Sequence, residues 1–252
     1  MRRAEHGYNP KGNGKEKAVA AVHFEEREPP VHLRGIVHRF LELRTDGVLA
    51  EDYRFHALPD ACSYIVFDQN DPQVAGLSQL RATSEEFNLG RSFHFINIRF
   101  LPGVWQGSVD KIAYGLVSSP YDGDLPLIAA NQALIRRSFA DSQPVLLDLV
   151  DHLLERNVVA ANPVTEKIFE HLDDIHTVAD MAAAAHLSPR QLQRRLKRTT
   201  GFAPHDFLKV LRLQQTLNGK DIWSYADQSH FIHSFRKATG YTPGKYARKY
   251  DV

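Results

Sequence analysis

The segment Leu187-Ser188-Pro189-Arg190 constrains the fold most, because it ends one helical run and begins another within a few residues. Ser188 can cap the free N–H groups of a following helix, and proline is well tolerated in a first helical turn. Upstream, Thr177-Val178-Ala179-Asp180 has the hydroxyl and the acid of a capping box. The sequence therefore predicts a short helix, a tight turn and a second helix, which together form a helix-turn-helix unit.

Charge is distributed very unevenly along the chain. Residues 177–250 contain 13 Lys and Arg against 4 Asp and Glu, whereas residues 1–176 contain 18 against 25. These excesses cancel, so the formal net charge of the whole chain is only +1. A compact basic region joined to an acidic one suggests a module that binds a polyanion beside a module with another role.

The second helix of this unit has an exposed face suited to DNA bases. Leu192 and Leu196 are spaced to face inward, which leaves the polar side chains outside. Arg and Gln carry donor and acceptor pairs that match guanine and adenine edges in the major groove. A solvated charged face is the alternative interpretation. The predicted DNA-contacting residues of this helix are Arg190, Gln193, Arg194 and Lys197.

A second unit of the same kind follows. Residues 204–217 predict a linking helix, and residues 227–240 predict another helix with Phe231 and Phe235 facing inward. Two such helices joined by a stiff one can enter successive segments of the major groove. Its predicted DNA-contacting residues are Gln228, Ser229, His233, Arg236 and Lys237.

The N-terminal part of the chain has a different texture. Residues 1–22 are rich in Gly, Asn and Lys and predict a flexible tail. Residues 64–67 and 93–100 are apolar runs that stop at turn signals, which is typical of strands in a small barrel or sandwich. We therefore expect an α+β protein with a β-rich domain over residues 23–160 and an all-α, double helix-turn-helix domain over residues 164–252.

Two helices are expected to close the β-rich domain. Residues 126–139 and 144–157 lose the strand alternation, and Pro144 suits a first helical turn. Leu146, Leu149, Val150, Leu153 and Leu154 form an apolar stripe that must be covered by its own domain or by a second copy of the chain. We expect this stripe to carry a dimer contact, and residues 160–163 to be the linker between domains.

Polar residues interleaved with the strands are candidates for an effector site, although each can also have a purely structural role. His-x-His pairs of a metal site are missing, so we expect no metal and no cofactor. Cys62 has no recognisable catalytic partner, so we expect no enzyme activity. The candidate effector-binding residues are Arg54, His56, Arg91, His94, Arg99 and Trp105.

Residues 178–250 resemble the DNA-binding domain of AraC/XylS-type transcriptional regulators. LSPRQLQRRLKRTTGFAP is similar to the first recognition helix and its turn, and DQSHFIHSFRKATGYTPGKY is similar to the C-terminal signature of that family. HALPDAC and FLPGVWQG are similar to the sensor domains of some such regulators. The resemblance implies base contacts from Arg190, Gln193 and Arg194 and from Gln228, Ser229 and His233.

The second unit departs from the family pattern. Only residues 220–226 separate Gly219 from the second recognition helix, so the supporting helix is shortened and the recognition helix is expected to lean on Trp223 and Tyr225. His233 also replaces an arginine that is common in the family.

The sequence therefore predicts a sequence-specific DNA-binding transcription regulator. We expect it to be cytoplasmic, because the sequence has no recognisable secretory signal or membrane span. The expected partners are double-stranded DNA, a second copy of the chain, RNA polymerase if the protein activates, and a small effector such as a sugar, an organic acid or a nucleotide messenger. The alternative is a ligand-sensing protein, for example of a cyclic dinucleotide, that binds DNA weakly and acts through protein partners.

Overall fold

The computed structural model describes residues 7–17, 19–79, 82–107, 115–219 and 228–251. Strands come first and helices follow, so the expected α+β class is confirmed. The strands are β1 (Asn13–Glu16), β2 (Val22–Arg27), β3 (Val37–Thr45), β4 (Arg54–Ala57), β5 (Ser63–Asp68), β6 (Ala75–Gln79), β7 (Glu85–Asn88), β8 (His94–Phe100) and β9 (Tyr250–Asp251). The helices are α1 (Leu127–Leu134), α2 (Phe139–Glu155), α3 (Pro163–Glu170), α4 (Val178–Ala184), α5 (Pro189–Thr200), α6 (Pro204–Leu217), α7 (Gln228–Thr239) and α8 (Pro243–Lys249).

Two antiparallel sheets form the N-terminal module, and the second also includes strand β9 from the C-terminal end of the chain. One has the strand order β2-β3-β8-β5-β6, and the other has the order β7-β4-β1-β9. Alternate residues of a strand point to opposite faces. In the five-stranded sheet, Ile65, Ile96 and Ile98 therefore face the helices, while residues such as Tyr64 face a cleft that both sheets line.

Helix α2 packs against α1, which lies on β5 and β6. Leu146, Leu149, Val150 and Leu153 are buried in the main core, so the prediction that this stripe carries a dimer contact is wrong. The core of the same chain supplies the apolar surface that the stripe needs. The predicted helix start was also wrong, because Ser138 caps the helix through a bond from the Asp141 N–H (3.1 Å) and Pro144 lies inside it.

The described part of the N-terminal tail is packed, in contrast to the expected flexibility. Tyr8 is buried, stacks on Phe169 at 4.6 Å between ring centroids and donates a hydrogen bond to the Asp60 carbonyl oxygen (2.6 Å). Residues 13–16 form strand β1 between β4 and β9. The Gly-rich composition suggested flexibility, but a few long-range contacts are enough to order this segment.

The expected linker at residues 160–163 is also held in place. Asn162 caps α3 and donates a side-chain hydrogen bond to the Gly103 carbonyl oxygen (2.8 Å), and Thr165 donates to the Pro102 carbonyl oxygen (2.9 Å). One continuous core extends from Tyr8 to Leu211 across both parts of the chain. The first helix-turn-helix unit is therefore fixed on the N-terminal module.

Gly103 allows this close approach. Its φ of 83° lies in the left-handed region, and an added Cβ would lie 2.6 Å from Asn162 Nδ2 and 3.4 Å from Thr199 Oγ1 at the end of α5.

We expect Gly103→Ala to lower the free energy of unfolding more than Gly47→Ala does. Gly47 has a φ of 78° with no atom near its Cβ position, so that variant measures backbone strain alone, about 1–2 kcal/mol. Gly103→Ala should add about 1–3 kcal/mol, since it disrupts the Asn162 hydrogen bond. Chemical denaturation of both variants checks this, and equal losses would contradict the close packing at Gly103.

Candidate nucleic-acid interface

The first helix-turn-helix unit consists of α4 and α5. Both helices begin with complete capping boxes, Thr177 with Asp180 and Ser188 with Gln191. The turn between them passes through His186, whose φ of 53° is left-handed. Capped ends leave fewer backbone groups unsatisfied. The Ser188 capping box therefore determines where α5 begins and which side chains it exposes.

The buried face of α5 anchors it to the rest of the protein. Leu192, Leu196 and Thr200 are buried, and Gly201 ends the helix with a φ of 76°. The following segment brings Phe202 against Phe207 of α6, with ring centroids 6.3 Å apart. The buried face of α5 therefore holds the helix against the protein core and leaves its opposite face exposed.

The opposite face of α5 carries the predicted contact residues. Arg190, Gln193, Arg194 and Lys197 are exposed at the i, i+3, i+4 and i+7 spacing of one helix face. Within the described ranges, no carboxylate lies within ion-pair distance of Arg190 or Arg194. Lys197 instead donates from Nζ to the Gly201 carbonyl oxygen (2.9 Å). The arginines are thus available to an anionic partner, whereas Lys197 lies along its own helix.

Helix α6 links the two units and faces the N-terminal module. Its buried Gln214 donates to the carbonyl oxygens of Lys11 (3.0 Å) and Pro59 (2.8 Å), and its Oε1 accepts from the Lys11 N–H (2.6 Å). These bonds saturate the amide between three chain segments. No local pattern predicted this role, because a polar residue on an amphipathic helix usually faces solvent.

The second unit contributes helix α7, which agrees with the predicted helix. Ser229, His233, Arg236 and Lys237 are exposed, and Phe235 is buried. The side chains of Gln228 and Phe231, and the expected support from residues 220–226 with Trp223 and Tyr225, lie outside the described residues.

The C-terminal end of the second unit is fastened to the N-terminal module. Strand β9 pairs with β1, and the Ser84 N–H donates to the Ala238 carbonyl oxygen (2.7 Å) at the end of α7. His56 of β4 stacks on Tyr250, with ring centroids 5.0 Å apart. We call this group, formed by His56 with Thr239, Tyr241, Tyr246 and Tyr250, the His56 latch.

The candidate effector residues do not form one site. Arg99 lines the cleft, whereas Arg54 and Arg91 are exposed and bond to Glu86 and to the Leu49 carbonyl oxygen. Trp105 packs edge to face against Phe100, and His94 pairs with Glu42 (2.9 Å). Except for Arg99, these side chains make structural contacts or lie at the surface.

Arg99 lies at the centre of a buried polar network. Its guanidinium donates to the Pro10 carbonyl oxygen (2.8 Å), to Glu26 (2.9 Å) and to His38 Nδ1 (3.2 Å), while Asp60 lies 4.0 Å from Nε. Burial raises the pKa of Asp60 and lowers that of His38 well below its usual value. The sequence singled out Arg99 but missed its partners, because they are distant along the chain.

Cys62 belongs to the same region and is not poised as a nucleophile. It is buried, and burial raises the pKa of its thiol well above the usual value. A protonated, inaccessible thiol reacts poorly.

In the part of the chain that the structure describes, no group of three or more His, Cys, Asp or Glu side chains is arranged to hold a metal ion. None of the described helices has the length and apolar character required to cross a bilayer.

The His56 latch should weaken as pH falls. Since a carbonyl only accepts, His56 Nε2 donates to Thr239 (3.1 Å), and neutral Nδ1 accepts from the Tyr246 hydroxyl (3.3 Å). Burial lowers the pKa of His56 from 6.5; nearby Lys249 also lowers it, while the Thr239 bond and Glu86 raise it. Stability from this group is therefore complete above pH 6.5 and is lost as pH falls below that value.

We expect the unfolding free energy of the native chain to fall between pH 7.5 and 5.5, and to fall less in His56→Gln. Glutamine can replace both hydrogen bonds, with an amide N–H as donor and its oxygen as acceptor, but it does not titrate. Chemical denaturation of both proteins at both pH values measures the two changes in unfolding free energy. The contributions of His38 and Asp60 are common to both proteins and cancel in the difference. Identical pH dependence in the two proteins would show that His56 is not held neutral.

Comparison with known proteins identifies what this arrangement resembles. No family model matches the chain. The HTH-type transcriptional regulator MtrA of Neisseria gonorrhoeae is 27% identical over 95 residues, which cover 33% of this chain and 32% of that protein. Among solved structures, ToxT from Vibrio cholerae is 10% identical with a TM-score of 0.42, covering 92% of this chain and 98% of that chain. The MtrA match spans about a third of the length of that relative. Together with the capped α4–α5 unit, this match supports the resemblance of residues 178–250 to the DNA-binding domain of AraC/XylS-type transcriptional regulators.

Proposed function

We propose that the protein is a sequence-specific DNA-binding transcription regulator. The observation that carries this proposal is the exposed face of α5, where Arg190, Gln193 and Arg194 project from a capped helix on a packed base. A single helix fits the major groove, and these side chains match base edges there. The excess of basic residues in the C-terminal module supports the same function, because DNA is a polyanion.

DNA binding is tested with the full chain and a sequence that it selects from a random library. Gln193→Ala and Arg194→Ala should each weaken binding to the selected sequence by about 1–3 kcal/mol, with little effect on random DNA. Arg156→Ala, which removes an exposed charge from the end of α2, is the matched control and should leave both affinities unchanged.

The outcomes separate the two interpretations of the sequence. Equal losses on selected and random DNA would make these residues phosphate contacts. Failure to select any sequence would contradict the proposal and favour a ligand-sensing protein that acts through protein partners.

We also propose that α7 contacts a second segment of the major groove. Its exposed His233, Arg236 and Lys237 have the chemistry of DNA contacts, although the helix is less basic than α5. If both units bind, a footprint should extend over about two helical turns of DNA, and Arg236→Ala should lose protection at one end while Arg194→Ala loses it at the other. Loss over the whole site in both variants would mean that the units do not bind separately.

We further propose that the N-terminal module receives a small effector. The cleft between its two sheets supports this proposal, since effector pockets are concave and largely apolar.

We also propose a homodimer, whose interface must lie away from the buried stripe of α2. The mass of the protein in solution tests this proposal. Contact with RNA polymerase applies only if the protein activates transcription.

A further inference from the structure

The ligand class follows from the lining of the cleft. We propose that it binds a neutral, largely apolar molecule with a single hydrogen-bonding group, and excludes sugars, nucleotides and organic anions. This inference rests on the proposed role of the N-terminal module as an effector domain.

The walls of the cleft are apolar on both sheets. The five-stranded sheet contributes Leu41, Leu43 and Phe95, and the other sheet contributes Phe55 and Phe87, whose rings stack with centroids 6.4 Å apart. The space amounts to about 660 Å³, including its open mouth. A molecule with many hydroxyl or phosphate groups would leave most of them without partners against these walls.

Ser78 and Tyr64 are satisfied by the protein itself, whereas Arg99 Nε is buried without a hydrogen-bond partner among the described residues. Ser78 donates to the Gly115 carbonyl oxygen (2.9 Å), and the Tyr64 hydroxyl donates to Asp60. Asn97 is different, since its side chain makes no hydrogen bond to any residue that the structure describes. It stands in register between Leu41 of β3 and Val66 of β5, so one amide lies on an otherwise apolar floor.

The charge at the polar end of the cleft is already balanced. Arg99 is 1% exposed and has Glu26 at 2.9 Å and Asp60 at 4.0 Å. The backbone of Gly12 covers this end, because a Cβ there would lie 3.2 Å from Arg99 Nη2 and 2.9 Å from Asp60. Glu26 already pairs with Arg99 and Asp60 lies beside it, so a ligand carboxylate or phosphate would enter as a buried charge without a counter-ion.

Two dyes with the same ring system test charge selectivity. N-phenyl-1-naphthylamine is neutral, and 8-anilino-1-naphthalenesulfonate adds one sulfonate to the same skeleton. In fluorescence titrations of the full chain, we expect the neutral dye to bind one site at least tenfold more tightly than the anionic dye. Since the sulfonate dye can also bind the basic face of α5, only binding that a cleft variant changes is counted.

Val66→Phe and Val48→Phe are the matched variants. Val66 lines the cleft, whereas Val48 is 70% exposed, so the same substitution fills the cleft in one case only. Val66→Phe should weaken the neutral dye at least tenfold and Val48→Phe should not change it. Circular dichroism verifies folding, and Val66→Leu, which adds less volume, replaces Val66→Phe if that variant unfolds.

Two results would overturn the inference. One is cleft binding of the anionic dye as tight as that of the neutral dye; the other is neutral-dye binding that the folded Val66 variant leaves unchanged. DNA binding measured on the same samples separates this inference from the proposed function. Selective DNA binding without cleft binding refutes the ligand class alone, and cleft binding without DNA binding refutes the regulator.

Discussion

A buried guanidinium organises this protein. Arg99 is almost entirely removed from water, and an unpaired charge in that position would be strongly destabilising. Its bonds to Glu26 of β2 and to the Pro10 carbonyl oxygen therefore fix an edge strand and the N-terminal segment onto β8. The segment becomes ordered because this charge and its neighbours require partners, although its own composition favours flexibility.

The same N-terminal segment also binds the C-terminal module. Lys11, one residue beyond Pro10, exchanges hydrogen bonds with Gln214 of α6 in both directions. At other points Gly103 holds α3 and approaches the end of α5, and strand β9 and the His56 latch hold the second unit. The positions of α5 and α7 thus depend on the N-terminal module as well as on α6. Under the proposed function, α5 and α7 can contact one DNA site together only if their spacing suits it.

The sequence predicted the features that depend on local chemistry. Ser188, Pro189 and the leucine spacing located α5 and its exposed face, because caps and helical periodicity act within a few residues. The strands β5 and β8 were also located by local signals, because each is an apolar run that stops at nearby turn residues. Packing across distant segments was not predictable in this way. The N-terminal segment, the 160–163 linker and the stripe of α2 all looked solvent-exposed or available to a partner until their contacts more than fifty residues away were known.

His56 illustrates the same limit at a single residue. Its position among strands suggested an effector ligand, but its partners Thr239 and Tyr246 lie more than 180 residues away and make it part of the latch. No pattern near residue 56 encodes that pairing. The sequence distinguishes a ligand-binding histidine from a structural one only when both partners are local.

Strand β8 borders the cleft and is connected, through Arg99 and the N-terminal segment, to helix α6 of the C-terminal module. Asn97 lies on the cleft floor, and Arg99, two residues further along the same face, holds the segment that bonds to Gln214. A ligand changes DNA affinity through such a route only if it binds one arrangement of these contacts better than another. Because Gly12 closes over Asp60 and Arg99 with no room for a side chain, a ligand that displaced this segment would also have to replace the bonds of Arg99. The proposed neutral ligand would occupy the apolar part of the cleft and leave those bonds intact.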